Sequence, residues 1–302
     1  MQKTNKPSNV LIFILMITMM LVVRDLMDVS INKYIFVAVI IAFCLFSSKD
    51  DIPAMACFLF PLLWGLPYTW FIAPITIIYL LKKKHIKRKV MFLIGFFVLA
   101  EIIATLWYPE EGLTNIIKYL SVISTFFVFL YEEDVDKKSC INAFTAGLVV
   151  LCAVIFIKTL MTAPSNWLDL FVKGWFRFGM QQVEEGSDIT LKVNANSLAY
   201  YSVTGVALGL VGIDQYEKRK RILSIVATLF FILMGVMTLS RSWMVAVALC
   251  ILLFLVGRAR SFRSAAQTVL IGVVAVIAIA YVIQVVPELR EGFIGRWQSS
   301  DV

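Results

Sequence analysis

The sequence predicts an all-α polytopic membrane protein, and three observations carry that prediction: its apolar share, the length of its apolar runs and the placing of Lys and Arg. Of 302 residues, 60% are hydrophobic and only 16% charged, with a mean hydropathy of +0.86. A soluble domain carries roughly 25% charged residues. This chain has too few polar side chains to cover a water-soluble globule, so lipid is the solvent for most of it. The apolar runs are continuous rather than alternating, which selects helices over a β-barrel. Each membrane helix needs about 20 apolar residues.

On that unit the chain reads as about eleven spans joined by short loops, a single transmembrane domain over 1–302. The first seven are Val10–Val23, Ile31–Ser47, Ile52–Gly65, Tyr68–Leu81, Val90–Trp107, Asn115–Tyr131 and Ser139–Met161. Four more follow at Asn196–Ile213, Ile222–Leu239, Ser242–Val256 and Ser264–Ile283. Pro61, Pro67 and Pro74 interrupt the third and fourth, which form two short spans or one span with a re-entrant piece. Lys3 and Lys6 precede the first run as in a secretory signal, but no small-residue cleavage site follows it, only Arg24-Asp25. An uncleaved helix is expected, with Arg24 and Asp25 paired at its outer boundary.

Orientation follows the bias of Lys and Arg to cytoplasmic loops. With the N-terminus inside, 18 of the 28 basic residues fall on the inner side, most of them in LKKKHIKRK (81–89), YEKRKR (216–221) and GRARSFR (257–263). Outer segments are acidic or aromatic, as in LWYPEEGLTN (106–115). The net charge of +8 therefore lies in short clusters between spans and forms no broad basic face for nucleic acid. The chain ends within an outer segment, PELREGFIGRWQSSDV, and residues 287–302 read as the start of a larger outer loop that is cut off. The five cysteines lie in or at the ends of spans without a Cys-x-x-Cys pair, so neither a metal site nor a disulfide framework is expected.

The longest outer segment is 162–193. Trp167, Phe171 and Trp175 recur every four residues with Phe178 next, a spacing that predicts a short aromatic helix on the membrane surface. Its polar part, QQVEEGSDITLK, suits a substrate-guiding lid.

Arg241 is the sharpest chemical signal. Ile222–Val256 is 35 residues with one charged side chain. A single helix of that length would run about 52 Å, against a hydrocarbon core of about 30 Å. It must break, and Ser240-Arg241-Ser242 is where it can, at the outer face. There Arg241 is either a turn residue reaching for headgroups or a fork of donors gripping a lipid-linked phosphate. Asn194-Ala195-Asn196-Ser197 starts the eighth span, where an Asn caps the free amides or helps to shape a polar pocket. Glu101 is a buried carboxylate candidate, and Arg177, Arg290 and Arg296 are exposed outer arginines. His85, the single histidine, sits in a basic inner loop. There is no phosphate-loop or dinucleotide motif and no Ser/His/Asp set.

Three stretches resemble the O-antigen ligase and O-antigen polymerase superfamily. VNANSLAYYSVTGVALGLV (193–211) is similar to its N-x-N-x-L-A start of a span, and MTLSRSWMVAVALCILLFLV (237–256) to its Thr-x-Ser-Arg hairpin with a following apolar helix. GFIGRWQSSDV (292–302) looks like the approach to its large outer loop. As specific residues the resemblance covers only 174–256 and 291–302. It implies a GT-C-like glycosyltransferase of the bacterial cytoplasmic membrane, without a nucleotide sugar, cofactor or required metal. The implied partners are an oligosaccharide donor on undecaprenyl pyrophosphate, a glycan acceptor and membrane lipids. Arg241 matches the family's first pyrophosphate arginine and Arg296 lies near the second, both in catalytic roles. Asn194, Asn196, Ser240, Arg177 and Arg290 are expected to contribute to substrate binding. The family's loop histidine has no counterpart here. Polymerase is the preferred reading, with ligation to a lipid A core as the alternative. The rival from another class is a transporter or flippase for the same glycans. Transporters place ionisable residues at mid-membrane and show repeats, whereas here polar residues gather at the outer face and no repeat is found.

Overall fold

A computed structural model describes residues 9–65, 68–83, 88–107, 135–173, 175–179 and 193–259, with isolated positions between 261 and 285. Its regular elements are all helical among the described residues. They are α1 (Asn9–Asp25), α2 (Lys33–Phe46), α3 (Ile52–Leu59) continued by a 3-10 helix (Phe60–Gly65), α4 (Tyr68–Lys83) and α5 (Arg88–Trp107). Next come α6 (Lys137–Thr162), α7 (Trp167–Val172), α8 (Ala195–Gln215), α9 (Lys218–Met237) and α10 (Arg241–Gly257). Among the described residues three helices, α6, α8 and α9, are long and apolar enough to cross a membrane, and α10 is a shorter apolar helix. The chain is a membrane protein on that ground. The expected sixth span, Asn115–Tyr131, lies outside the described residues, and of Ser264–Ile283 only isolated residues are described.

Most expected boundaries fall within two or three residues of a helix end. The third span is the exception in kind. Pro61 has no amide to offer the carbonyl four residues back, and α3 tightens into the 3-10 turn at Phe60. Pro74, by contrast, is accommodated inside α4.

The chain divides into two compact units, with the boundary between Val154 and Ile155 inside α6. In the first, Phe13 of α1 meets Phe43 of α2 and Phe58 of α3 edge-on, at 5.4 and 6.1 Å between centroids. The α1 face that carries Phe13 continues through Ile17 and Leu21 to Arg24 and Asp25, all buried. Arg24 and Asp25 pair through two contacts, Nε to Oδ1 at 3.2 Å and a terminal amino group to Oδ2 at 2.8 Å. The expected pairing is therefore present, and it is buried. Arg24 also lies 5.2 Å from the centre of the Phe36 ring. Lys82 of α4 donates to the carbonyls of Cys44, Leu45 and Ser47, filling acceptors that the end of α2 leaves open.

The second unit is built on α8, α9 and α10. Only Tyr216 and Glu217 separate α8 from α9. A Cβ at Gly205, Gly209 or Gly212 would strike Phe231, Thr228 or Ser224, respectively. The partner numbers fall as the glycine numbers rise, so the two helices run antiparallel and at close range, as small residues permit in membranes. The opposite face of α9 carries Ile222, Val226, Leu229, Leu233 and Val236, all exposed. That stripe is what a helix turned towards lipid presents.

One hydrogen-bond chain joins all three helices. The Trp243 indole Nε1 of α10 donates to Ser202 Oγ of α8 at 2.7 Å, and Ser202 Oγ donates to the Phe231 carbonyl of α9 at 2.7 Å. All three residues are buried. The indole occupies the space that a Cβ at Gly235 would take. At the other end of the helices, Arg258 pairs with Asp214 at 2.9 Å, with both side chains about half exposed. The pairs 202–243 and 214–258 rise together, so α8 and α10 are parallel and their N-termini share one end.

Ser202→Ala strands the buried indole N–H and is expected to cost about 1–2 kcal/mol, read as a lower melting temperature of the purified protein in detergent. Gly235→Ala is expected to lower it further, because its methyl group meets the indole. An unchanged melting temperature for Gly235→Ala would show that Trp243 is packed elsewhere.

Candidate functional site

The break that helix length demands between residues 222 and 256 is present. The α9 helix ends at Met237, Thr238–Ser240 turn, and α10 begins at Arg241. Thr238 Oγ1 donates to the Gly235 carbonyl at 2.6 Å and accepts from the Ser240 amide at 3.3 Å. Leu239 carries a φ of +51°. Left-handed backbone costs a residue with a Cβ about 1–2 kcal/mol, and strain of this kind gathers at functional sites. The turn delivers Ser240 and Arg241 to the shared N-terminal end of α8 and α10. Ser240 starts α10 as its N-cap residue without a side-chain capping bond, and its hydroxyl lies 3.0 Å from that of Ser242.

A second strand of chain reaches this turn from the aromatic segment. The α7 helix is six residues long and ends at Val172, so the expected aromatic row does not continue as a helix. The amides of Trp175 and Phe176 both turn back to the Leu170 carbonyl, at 2.8 and 3.1 Å, which closes the helix. Trp175 is left 78% exposed, whereas Phe178 is completely buried. Phe178 stacks on Phe156 at 5.2 Å and meets Trp167 and Phe176 edge-on at 5.8 Å each. Its amide donates to the Met237 carbonyl at 3.0 Å. Gly179 follows with φ +91°, and a Cβ there would crowd Ala195. Phe178 thus pins the segment to the end of α9, and Arg177 is held beside the turn.

The result is a cavity of about 260 Å³ lined by Arg177, Asn196, Tyr200, Leu239, Ser240, Arg241 and Ser242. Four residues singled out from the sequence for separate reasons (Arg177, Asn196, Ser240 and Arg241) line one space. Among the described residues the lining holds two guanidinium groups and no carboxylate. Arg177 Nε is buried without a hydrogen-bond partner among the described residues. Buried donors are seldom left in that condition. Such a concave, cationic surface suits an anion with several acceptor oxygens.

The two asparagines of the N-A-N sequence divide the work. Asn194 is the N-cap of α8, its side chain accepting from the Ser197 amide at 2.7 Å, so the capping reading holds for it and it is not in the cavity lining. Asn196 lines the cavity. Arg290, Arg296 and the 181–192 segment read as a lid lie outside the described residues, as do His85 and the Glu101 side chain. Sequence reasoning missed Tyr200, Leu239 and Ser242. Tyr200 is four residues after Asn196 on α8, and that spacing is the signal that finds it. Among the described residues no group of three His, Cys, Asp or Glu gathers. Comparison with models of protein families, with curated proteins and with solved structures finds no match.

Asn194→Ala is expected to lower stability by about 1 kcal/mol, the usual cost of losing a cap. Asn196→Ala should stay within about 0.5 kcal/mol, as surface substitutions do. Thermal unfolding of the two variants in detergent checks the contrast, and equal losses would contradict the division of roles.

Proposed function

We propose that this chain is a bacterial membrane glycosyltransferase of GT-C-like architecture with about eleven spans, its N-terminus in the cytoplasm. In this reading it transfers or polymerises oligosaccharide units from undecaprenyl pyrophosphate at the outer face of the cytoplasmic membrane. The observation that carries the proposal is the convergence of Arg177 and Arg241 on one cavity at the helix break. The motif resemblance over 193–211 and 237–256 falls on the same two helix starts.

The chemistry asks for what the cavity offers. A hydroxyl of the acceptor glycan attacks the donor's anomeric carbon, forming the new C–O bond. The bond from that carbon to the pyrophosphate oxygen breaks, its electron pair leaves with the lipid pyrophosphate, and the hydroxyl proton passes to water. Negative charge grows on the leaving group, and fixed guanidinium donors stabilise it most where it is greatest. Arg241 at the start of α10 adds the positive end of the helix dipole to its own charge. Ser240 and Ser242 can donate to the same oxygens, and Asn196 can bind hydroxyl groups or a phosphate oxygen from the α8 side. A transporter of the same glycans would need charged groups along a path, whereas Arg177 and Arg241 line one cavity at the helix break.

Arg241→Ala is expected to reduce glycan polymer in cells by about 10²–10³-fold, the scale of losing one charge-stabilising donor. Arg241→Lys should fall between, since it keeps the charge and loses the fork. The readout is the polymer ladder on a gel together with accumulation of the lipid-linked donor. Normal polymer length and amount in both variants would remove Arg241 from the site. Supplying donor on the outward leaflet of reconstituted vesicles separates the classes, because a transferase acts on it and a flippase leaves its glycan unchanged.

A further inference from the structure

The cavity has two walls of different chemistry. Arg177, Ser240, Arg241 and Ser242 make one, all donors suited to phosphate oxygens. Asn196 and Tyr200, on α8, make the other. They are four residues apart, so one helical turn of about 6 Å separates them and they share a face. Tyr200 is 65% exposed. It lines the cavity, and among the described residues its ring has no aromatic contact and its phenol no hydrogen bond, so the side chain is available to a ligand there.

We infer that the Asn196–Tyr200 wall receives the first sugar ring of the donor, with Tyr200 as a positioning and specificity residue that stacks on the apolar face of the pyranose. The inference rests on the pyrophosphate reading of the arginine wall. A sugar diphosphate presents an anion and, one bond away, a ring with a C–H face and a rim of hydroxyl groups. An aromatic side chain with a polar tip matches that ring, covering the C–H face while its hydroxyl meets the rim. The Asn196 amide, both donor and acceptor, meets hydroxyl groups next to the phosphate. At about 260 Å³ the cavity lies just under the range typical of pockets for drug-sized ligands, about 300–1,000 Å³. It therefore takes the phosphates and one ring, and the remainder of the oligosaccharide lies outside. Discrimination among donors then falls on their first sugar.

The test measures equilibrium binding to the intact chain in lipid nanodiscs, using undecaprenyl pyrophosphate and its N-acetylglucosaminyl, galactosyl and glucosyl derivatives. Wild type is expected to bind at least one glycosylated probe more tightly than the bare lipid. Tyr200→Ala should weaken that probe by about tenfold, the scale of one ring stacked on an aromatic side chain. Binding of the bare lipid should change less than about twofold, and Tyr200→Phe should retain most of the preference. Arg241→Ala should weaken bare and glycosylated probes alike. If Arg241→Ala leaves both unchanged, the pyrophosphate reading itself fails. If Arg241→Ala weakens both but Tyr200→Ala shifts them equally or neither, only the sugar wall is overturned. A wild type that binds no glycosylated probe better than the bare lipid overturns it as well.

Discussion

The hydrogen bonds from Trp243 to Ser202 and from Ser202 to the Phe231 carbonyl are what the rest of the second unit depends on. Inside a bundle surrounded by lipid, apolar surfaces have little reason to choose one partner over another, because lipid tails are as apolar as leucine. Register has to come from close packing and from polar groups that need each other. Here the indole N–H, the serine hydroxyl and a backbone carbonyl satisfy one another across three helices. Slide α10 by one residue and the indole loses both its acceptor and the hollow above Gly235. The chain therefore fixes where α10 begins relative to α8, and with it the distance between Arg241 and Asn196.

Around that fixed point the cavity is assembled from three short pieces of chain, each with its own local cause. The turn at Thr238–Ser240 is closed by the Thr238 hydroxyl and strained at Leu239. The start of α8 is capped by Asn194, which frees Asn196 for the cavity. The Arg177 segment is anchored by Phe178 in a nest of three aromatic rings and by one backbone bond to Met237. Polar groups at the edge of an apolar bundle thus acquire the rigidity a binding site needs from the bundle itself.

What the sequence made legible follows from quantities that are local. Helix length against membrane thickness located the break at Arg241, and apolar run length located most helix ends. Proline chemistry marked α3 as irregular. The pairing of Arg24 with Asp25 is a neighbour effect and could be read directly. Other features depend on tertiary placement. Nothing in the sequence separates Asn194 from Asn196, because the one that caps is decided by where the helix starts. Tyr200 looks like any aromatic residue in a span until α10 sets Arg241 beside it. The four-residue aromatic row from Trp167 suggested one face of one helix, yet the chain leaves the helix after Val172 and spends Phe178 on a buried contact instead. Arg177 was visible as a charge, but its anchoring depends on that contact.

Gly235 and Trp243 share one volume, and this has a consequence for how the protein can change over time. A mutation that adds a side chain at 235 is tolerated only in a background where 243 has already become small. A smaller residue at 243 leaves a hollow and removes the donor to Ser202, whose own bond to the Phe231 carbonyl then no longer ties α10 to the pair. Single steps in either direction pass through a damaged intermediate. The two positions, with 202, form an evolutionary ratchet: they drift as a trio or stay together, even while the lipid-facing stripe of α9 exchanges one aliphatic residue for another freely.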